Sequence, residues 1–407
     1  MSSTGGAIQQ LSYSLNGIQD TFLTGKPKHN FIKQAYKQYN NFAIERIKVT
    51  SKNGVQFGKQ VAFEIKKLGD FLKKVYFQFT LPALTPTSGV YAGWTNGIGY
   101  SIIDYVDLKI NGVFIDRRYG LFMMIWNQLT SNPGIRDSSD TLSGYYQNLA
   151  SLKYNALQPS TYNVELDFWF GENIASALPL LSLSQTNFIE IVLELKPFSE
   201  CIVYDGITPP NEAVITDGWL NTDQIFVDDS FKKKFKGEEH TYIIKQLQYI
   251  KEELVGSSKK INLTFNHPVS QLIFVLREQI SEDNNDHFNF SKRSIGDHQN
   301  VSALMTQARL LIDSKERNEY MSSDQLSRIN SNIYYPNTID SFIYTIPFCN
   351  KPAEWYPNGT LNFSLIQNPE LQIDLEDGIS DCSVYVFVIN FNFITIKDRF
   401  IKIEFDS

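Results

Sequence analysis

The residues able to do chemistry are few, and they do not gather. Five histidines (His29, His240, His267, His287, His298) are scattered, and no two stand four apart as a zinc-binding helix requires. Cys201, Cys349 and Cys382 are too few for a disulfide framework and have no metal-type spacing, so they read as buried, reduced thiols of a protein made inside a cell. Asp104, Asp107 and Asp116 lie close in sequence. On a strand, Asp104 and Asp107 differ by three positions and face opposite sides, so a solvent face or a loop anchor is expected rather than an acid/base pair. The richest set of potential ligands is Asp283, Asp286, His287, Asp297 and His298 within residues 282–298. It lacks the glycine and terminal glutamate spacing of a calcium loop, and a solvated loop is expected there. Gly93, Gly97 and Gly99 do not follow the dinucleotide-binding spacing and are not expected to open a helix, and no nucleophile elbow occurs. The five Asn-X-Ser/Thr sites, at Asn262, Asn289, Asn300, Asn358 and Asn362, read as chance matches in an Asn-rich chain. The expectation is no catalytic residue, no cofactor-binding residue and no metal ligand: no enzyme and no cofactor.

What the chain does have is a dense structural unit at Ile102–Thr130. Ile103, Tyr105, Val106, Leu108 and Ile110 make a strand. Asn111-Gly112 tolerates the positive φ angles of a tight hairpin turn. Val113, Phe114 and Ile115 start the return strand. Leu121, Phe122, Met124, Ile125, Trp126 and Leu129 then recur at helical spacing until Asn132-Pro133-Gly134 stops them. Phe122 and Trp126 are expected to anchor that helix against a sandwich edge. A weaker copy follows half a chain later: strand Ala308–Ile312, turn Asp313-Ser314, helical segment Tyr320–Ile329. Such a return suggests a duplicated domain.

At 407 residues the chain exceeds one compact core, and 42% apolar residues suffice for two. Aromatics at 14% favour strands. The net charge of −7 argues against a general nucleic-acid coat. No secretory signal and no apolar run long enough to cross a bilayer are read.

Residues 1–20 read as an arm, and Gly25–Lys59 as a basic, solvated face or a surface for an acidic partner. Strands are expected at Val61–Ile65, Phe71–Leu81, Asn163–Phe170 and Asn187–Leu195, with a loop at Leu84–Gly99, a polar surface excursion at 131–160 and a helical turn at Glu172–Leu183. Cys201–Ser230 has six acids and no Lys or Arg, and reads as a linker or exposed loop. Second-half strands are expected at Tyr242–Ile250, Ile261–Phe265, Leu272–Leu276, Ile339–Ile346, Thr360–Leu365 and Val384–Ile396. Side by side, Phe71–Leu81 pairs with Pro268–Leu276, Ile102–Thr130 with 306–330, and Asn187–Leu195 with Val384–Ile396. The expected fold is all-β: two tandem eight-stranded antiparallel jelly rolls with short helices in the loops. The expected divisions are an arm at 1–25, a first jelly roll at 26–220 and a second at 221–407.

Particular residues also resemble a known family. Leu23-Thr24-Gly25 with Pro27, Phe31, Lys33, Tyr36 and Tyr39, then Asn41-Phe42-Ala43 with Glu45, looks like the start of the double jelly-roll major capsid protein of nucleocytoplasmic large DNA viruses. Ile103-Asp104, Ile110 and Gly112, Ile115-Asp116-Arg117, Tyr119-Gly120 and Trp126-Asn127 with Leu129 are similar to that family's strand–hairpin–helix. Phe168-Trp169-Phe170, Ala177-Leu178-Pro179-Leu180, Ile225-Phe226-Val227-Asp228, Lys232–Lys234, His240 with Tyr242 and Ile244, Gln246-Leu247-Gln248, Phe265-Asn266-His267-Pro268-Val269 and Leu361-Asn362-Phe363-Ser364 follow in the family's order. The resemblance implies a structural capsid protein forming homotrimeric, pseudo-hexagonal capsomers that tile an icosahedral shell of the virion, made in the host cytoplasm. Its implied partners are further copies of itself, neighbouring capsomers and minor capsid proteins, with no specific nucleic acid. The basic segment at Lys26–Lys37 suggests an inner base facing a membrane surface. The ending Lys397–Phe405 replaces the family's usual Met/Gly-rich stretch, which leaves a minor capsid paralogue as an alternative. A carbohydrate-binding, lectin-like double jelly roll is the competing class.

Overall fold

Alternating burial turns the extended segments into one-sided strands in the computed structural model. It describes residues 5–14, 18–27, 31–32, 39–146, 152, 154–184, 188–236, 238–292, 302–313, 315–317, 319–337, 341–379, 381–397 and 400–405. Phe71–Leu81 shows the pattern: Val75, Phe77, Phe79 and Leu81 are buried, and Tyr76, Gln78 and Thr80 are half-buried.

The first set of strands is β1 Phe42–Val49, β2 Gln60–Glu64, β3 Phe71–Leu81, β4 Ala92–Trp94, β5 Ile103–Ile110, β6 Val113–Tyr119, β7 Ser160–Glu165, β8 Ile189–Leu195, β9 Ile202–Tyr204 and β10 Asp217–Val227. They pair as one sheet in the order β1-β10-β3-β7 and another in the order β2-β8-β5-β6, with β4-β9 apart. The second set is β11 His240–Val255, β12 Ser258–Asn262, β13 Pro268–Glu278, β14 Met305–Ile312, β15 Lys315–Glu316, β16 Met321–Ser322, β17 Tyr344–Pro347, β18 Leu361–Asn362, β19 Glu370–Leu375, β20 Asp381–Lys397 and β21 Phe400–Ile403. Their main paths are β11-β20-β13-β17 and β12-β19-β14-β15, with β16, β18 and β21 as additions. The second half therefore repeats the strand order of the first, position for position. Within the first half, Phe63 of one sheet meets Phe77 of the other edge-on at 6.5 Å, so the two sheets face each other across a shared core. This is a double jelly roll, and the duplication expected from Ile102–Thr130 is present.

Several expectations change. Cys201–Ser230 is not a linker, because it contains β9 and β10. Asp223 of β10 has a cross-strand partner: it takes a two-pronged ion pair from Arg46 of β1, at 2.7 and 3.0 Å. Lys48 stacks over Trp219 at 3.6 Å. Part of the basic segment at 25–59 is thus the strand β1, tied to the acidic stretch. The expected division at 220/221 falls inside β10. The half-to-half pairing also shifts. The counterpart of β8 is β19, and the long buried β20 corresponds to β10, two pairings that follow from the shared strand order of the sheets.

Asn163–Phe170 is a strand only to Glu165. Phe168-Trp169-Phe170 then leaves the ladder as a buried 3₁₀ turn. Residues 131–160 hold a helix at Pro133–Ser143, with Asn132 capping through its side chain, Pro133 in the first turn and Gly144 left-handed at its end. The loop at 84–99 includes β4, and Gly97 does open a short helix, Ile98–Ser101. The repeated unit in the second half ends in a π-turn, Gln325–Ile329, followed by Asn330–Tyr334.

Residues 1–41 form a unit of their own. Within it lie α1 (Gly5–Ser14) and α2 (Ile18–Thr24), with Ile8, Leu11, Tyr13, Ile18 and Phe22 exposed.

Candidate functional site

The unit first read as strand–turn–helix builds the seam between the two jelly rolls. Asn111 (φ 56°) and Gly112 (φ 80°) form the two-residue turn, which pairs Ile110 with Val113. At Gly120, a Cβ would lie 2.2 Å from the carbonyl oxygens of Tyr100 and Ile103. Glycine is what lets the helix Gly120–Thr130 start against β5.

That helix does more than cover a sandwich edge, because its far side meets the second half. Phe122 packs on Phe387 at 5.4 Å, and Trp126 meets Tyr335 edge-on at 6.5 Å. Asn337 Nδ2 donates to the Gln128 carbonyl at 2.8 Å, and Ser341 Oγ donates to Gln128 Oε1 at 3.3 Å.

Beside the helix, β6 meets β11. Gln246 Nε2 donates to the Ile115 carbonyl at 2.7 Å, and the Leu247 amide donates to Asp116 Oδ1 at 3.1 Å. Arg118 Nη2 donates to the Lys245 carbonyl at 3.0 Å, while its Nε lies 2.8 Å from Asp116 Oδ2. Lys245 crosses in the other direction. Its ammonium contacts Glu172 Oε2 at 2.7 Å and donates to the Glu354 carbonyl at 2.8 Å. Asp116, Arg118 and Lys245 are all buried.

Two cations thus face three carboxylates, Asp116, Asp167 and Glu172. Burial pushes all three upward, against the attraction of Arg118 or Lys245, and Asp116 rises to about 6. A buried pair of this kind adds little or no net stability when intact, because desolvation offsets its attraction, yet breaking it by removing one partner is costly. Chemically the seam locks two halves in one register. Asp116 is committed to Arg118 and the Leu247 amide, and Glu172 to Lys245. Asp167 and Glu172 also line a cavity of about 340 Å³ beside Lys74, Glu165 and Trp126.

The residues singled out from sequence fall as follows. Asp104 is exposed and Asp107 is buried, on opposite sides of β5 as expected, with Asp107 held by Arg117 at 2.6 and 2.9 Å. Asp116 does not face solvent. It is an anchor, reaching into the other half. The described part of residues 282–298 is not a solvated loop either. Asp286, His287, Asn289 and Ser291 are buried, and His287 Nε2 lies 2.7 Å from the Glu200 carbonyl. Burial drives His287 down to about 3, so the ring is neutral. Asn289 is tied to Asp286 and Ser291 and is no surface acceptor for a sugar. Asp297, His298, His29 and Asn300 lie outside the described residues. No cluster of His, Cys, Asp and Glu suited to a metal ion occurs among the described residues. Cys201 and Cys382 are buried and each pushed up to about 12 by burial. Cys349 is half-buried and also raised by burial.

The seam itself was not read from sequence, although two signals were available. Asp116 and Arg118 stand two apart on one strand, which puts opposite charges on one face. Lys245 interrupts an otherwise apolar-rich strand.

Comparison with known proteins follows the same division of the chain. Residues 30–231 match the family described as major capsid protein N-terminus, and residues 232–399 match large eukaryotic DNA virus major capsid protein. The border falls within the connecting helix Asp229–Phe235. The major capsid protein of Pyramimonas orientalis virus is 29% identical over 403 residues, covering 96% of this chain and 97% of that protein. The major capsid protein of Paramecium bursaria Chlorella virus 1 is 26% identical over 395 residues, covering 91% and 87%. Among solved structures, a chain of the PBCV-1 virus capsid superposes with a TM-score of 0.80 at 21% identity, covering 93% of this chain and all of that one. The Faustovirus major capsid protein gives 0.73 at 13% identity, covering 96% and 97%.

Proposed function

Because the chain belongs to the large eukaryotic DNA virus major capsid protein family and is a structural protein of the viral capsid, we propose that three copies assemble into a pseudo-hexagonal capsomer that tiles an icosahedral shell. The observation that carries this reading is the strand order repeated in the two halves and locked by the seam. Two like units per chain, three times over, present six similar edges to neighbouring capsomers, so a threefold object can fill a sixfold position. In this reading the halves divide at the connecting helix Asp229–Phe235, the chain has no catalytic, cofactor or metal residue, and it is made in the host cytoplasm. Minor capsid proteins and an inner membrane surface lie beneath it, the latter reached through the basic segment Lys26–Lys37.

Size-exclusion chromatography with light scattering tests the assembly. The expected species has about three times the 46.7 kDa mass of one chain. A stable monomer across micromolar concentrations would count against the capsomer.

A further inference from the structure

A second, smaller cavity of about 80 Å³ lies on the seam. The first jelly roll contributes Lys196, Asp104 and Tyr119, and the second contributes Tyr249, Arg277 and Tyr385. The Arg277 guanidinium is already occupied. Nη1 donates to the His287 carbonyl at 2.8 Å, Nη2 donates to the Tyr385 hydroxyl, and Glu282 is shared with Lys251 at 3.2 Å to each.

Lys196 differs. Among the described residues its ammonium has no ion pair and no hydrogen bond, and the hydroxyl of Tyr249, which lines the same cavity, has no hydrogen bond either. The neighbouring acids, Asp104 and Glu200, are exposed, and neither reaches Lys196 at ion-pair distance. His287, also on the wall, is neutral and adds no charge of its own. Burial and the nearby Arg277 both push the Lys196 ammonium down, and together they outweigh the attraction of Glu200 and Asp104. A half-buried cation beside a second cation, with no acceptor from the protein, favours an anion that can take the place of water at it.

We infer that this cavity takes one small inorganic anion, a halide or a phosphate, held between the Lys196 ammonium of the first jelly roll and the Tyr249 hydroxyl of the second. The volume suits such an ion, since a water molecule's share of liquid volume is about 30 Å³. A bulky organic acid does not fit. An ion gripped from both sides binds the assembled seam and not separated halves, so it stabilises the fold by mass action.

The test is the melting temperature of the full-length protein in sodium chloride, sodium bromide and sodium phosphate, each against sodium gluconate at matched ionic strength. The wild type is expected to melt several degrees higher in at least one small-anion salt than in gluconate, and the salt that does so identifies the ion. Lys196→Met is expected to abolish that difference, and Tyr249→Phe to reduce it. Equal increments in wild type and Lys196→Met would overturn the inference. A crystal grown in bromide gives an independent reading that needs no variant. When a halide is the stabilising ion, an anomalous peak within hydrogen-bond distance of Lys196 Nζ is expected; when phosphate is, the same place is expected to hold tetrahedral density in a crystal grown in phosphate, and an empty cavity in the crystal grown in the stabilising salt would overturn the inference.

Discussion

Replacing Lys245 with methionine keeps most of the side chain's volume and removes the one cation that crosses from β11 into the first jelly roll. In the intact seam its ammonium is bound to Glu172 Oε2 at 2.7 Å and to the Glu354 carbonyl at 2.8 Å. Without it, Asp116, Asp167 and Glu172 share only Arg118 as a nearby buried cation. Removing one partner of a buried pair costs ~3–5 kcal/mol. At 2–4 °C per kcal/mol for a unit of 150–250 residues, the melting temperature should fall by roughly 6–20 °C. The loss should also depend on pH. Burial holds Asp116, Asp167 and Glu172 above their unfolded values, so their charged forms are the penalised ones. The deficit is therefore largest near pH 8 and shrinks as pH falls through the raised values, near 6 for Asp116. Adding Glu172→Gln to Lys245→Met should recover part of the loss at pH 8, because it removes the stranded charge. Melts of wild type and both variants from pH 5 to pH 8 read all of this. A deficit flat across pH, with no recovery in the double variant, would refute an electrostatic seam.

Further outcomes follow from the same geometry. Asp116→Asn removes a carboxyl whose folded value, about 6, exceeds its unfolded one. Wild-type stability should fall as pH rises from 4 to 6 through this group, and the variant's melting curve should lack that part of the slope. Gly120→Ala places a methyl 2.2 Å from two carbonyl oxygens and should leave the protein largely insoluble, whereas Gly112→Ala meets nothing within 4 Å. The latter should cost only ~1–2 kcal/mol, from the left-handed backbone, when soluble fractions and melts are compared. Trp126→Ala removes a buried ring stacked on Phe122 and should lower stability by ~3–5 kcal/mol in denaturant titrations, with lower yield of assembled protein.

Local features were legible in the sequence. The hairpin at Asn111-Gly112, the helix after it and the long strand Asp381–Lys397 depend on turn chemistry and periodicity within a few residues. What escaped was long-range. β10 looked like an acidic spacer because the partners that hold it, Arg46 on Asp223 and Lys48 on Trp219, lie some 175 residues away in sequence. Missing β10 and β19 then set Asn187–Leu195 against the wrong counterpart in the second half. The pair of cations and three acids at the seam was invisible for the same reason. Asp116 and Leu247 are separated by 131 residues, and each charged residue taken alone reads as surface. The residues around Asp286 and His287 misled in the opposite direction. They are polar by type, yet they are buried and hydrogen-bonded, His287 to the Glu200 carbonyl of the first half and Asn289 to Asp286 beside it.

A single-particle cryo-EM map of the purified full-length protein shows whether the two joined halves of each chain build a threefold capsomer. Six jelly rolls around one threefold axis are expected, two from each chain, with Asp116, Arg118 and Lys245 joining the pair within a chain. A particle holding one chain, or one in which the two halves of a chain part at β6 and β11, would contradict this arrangement.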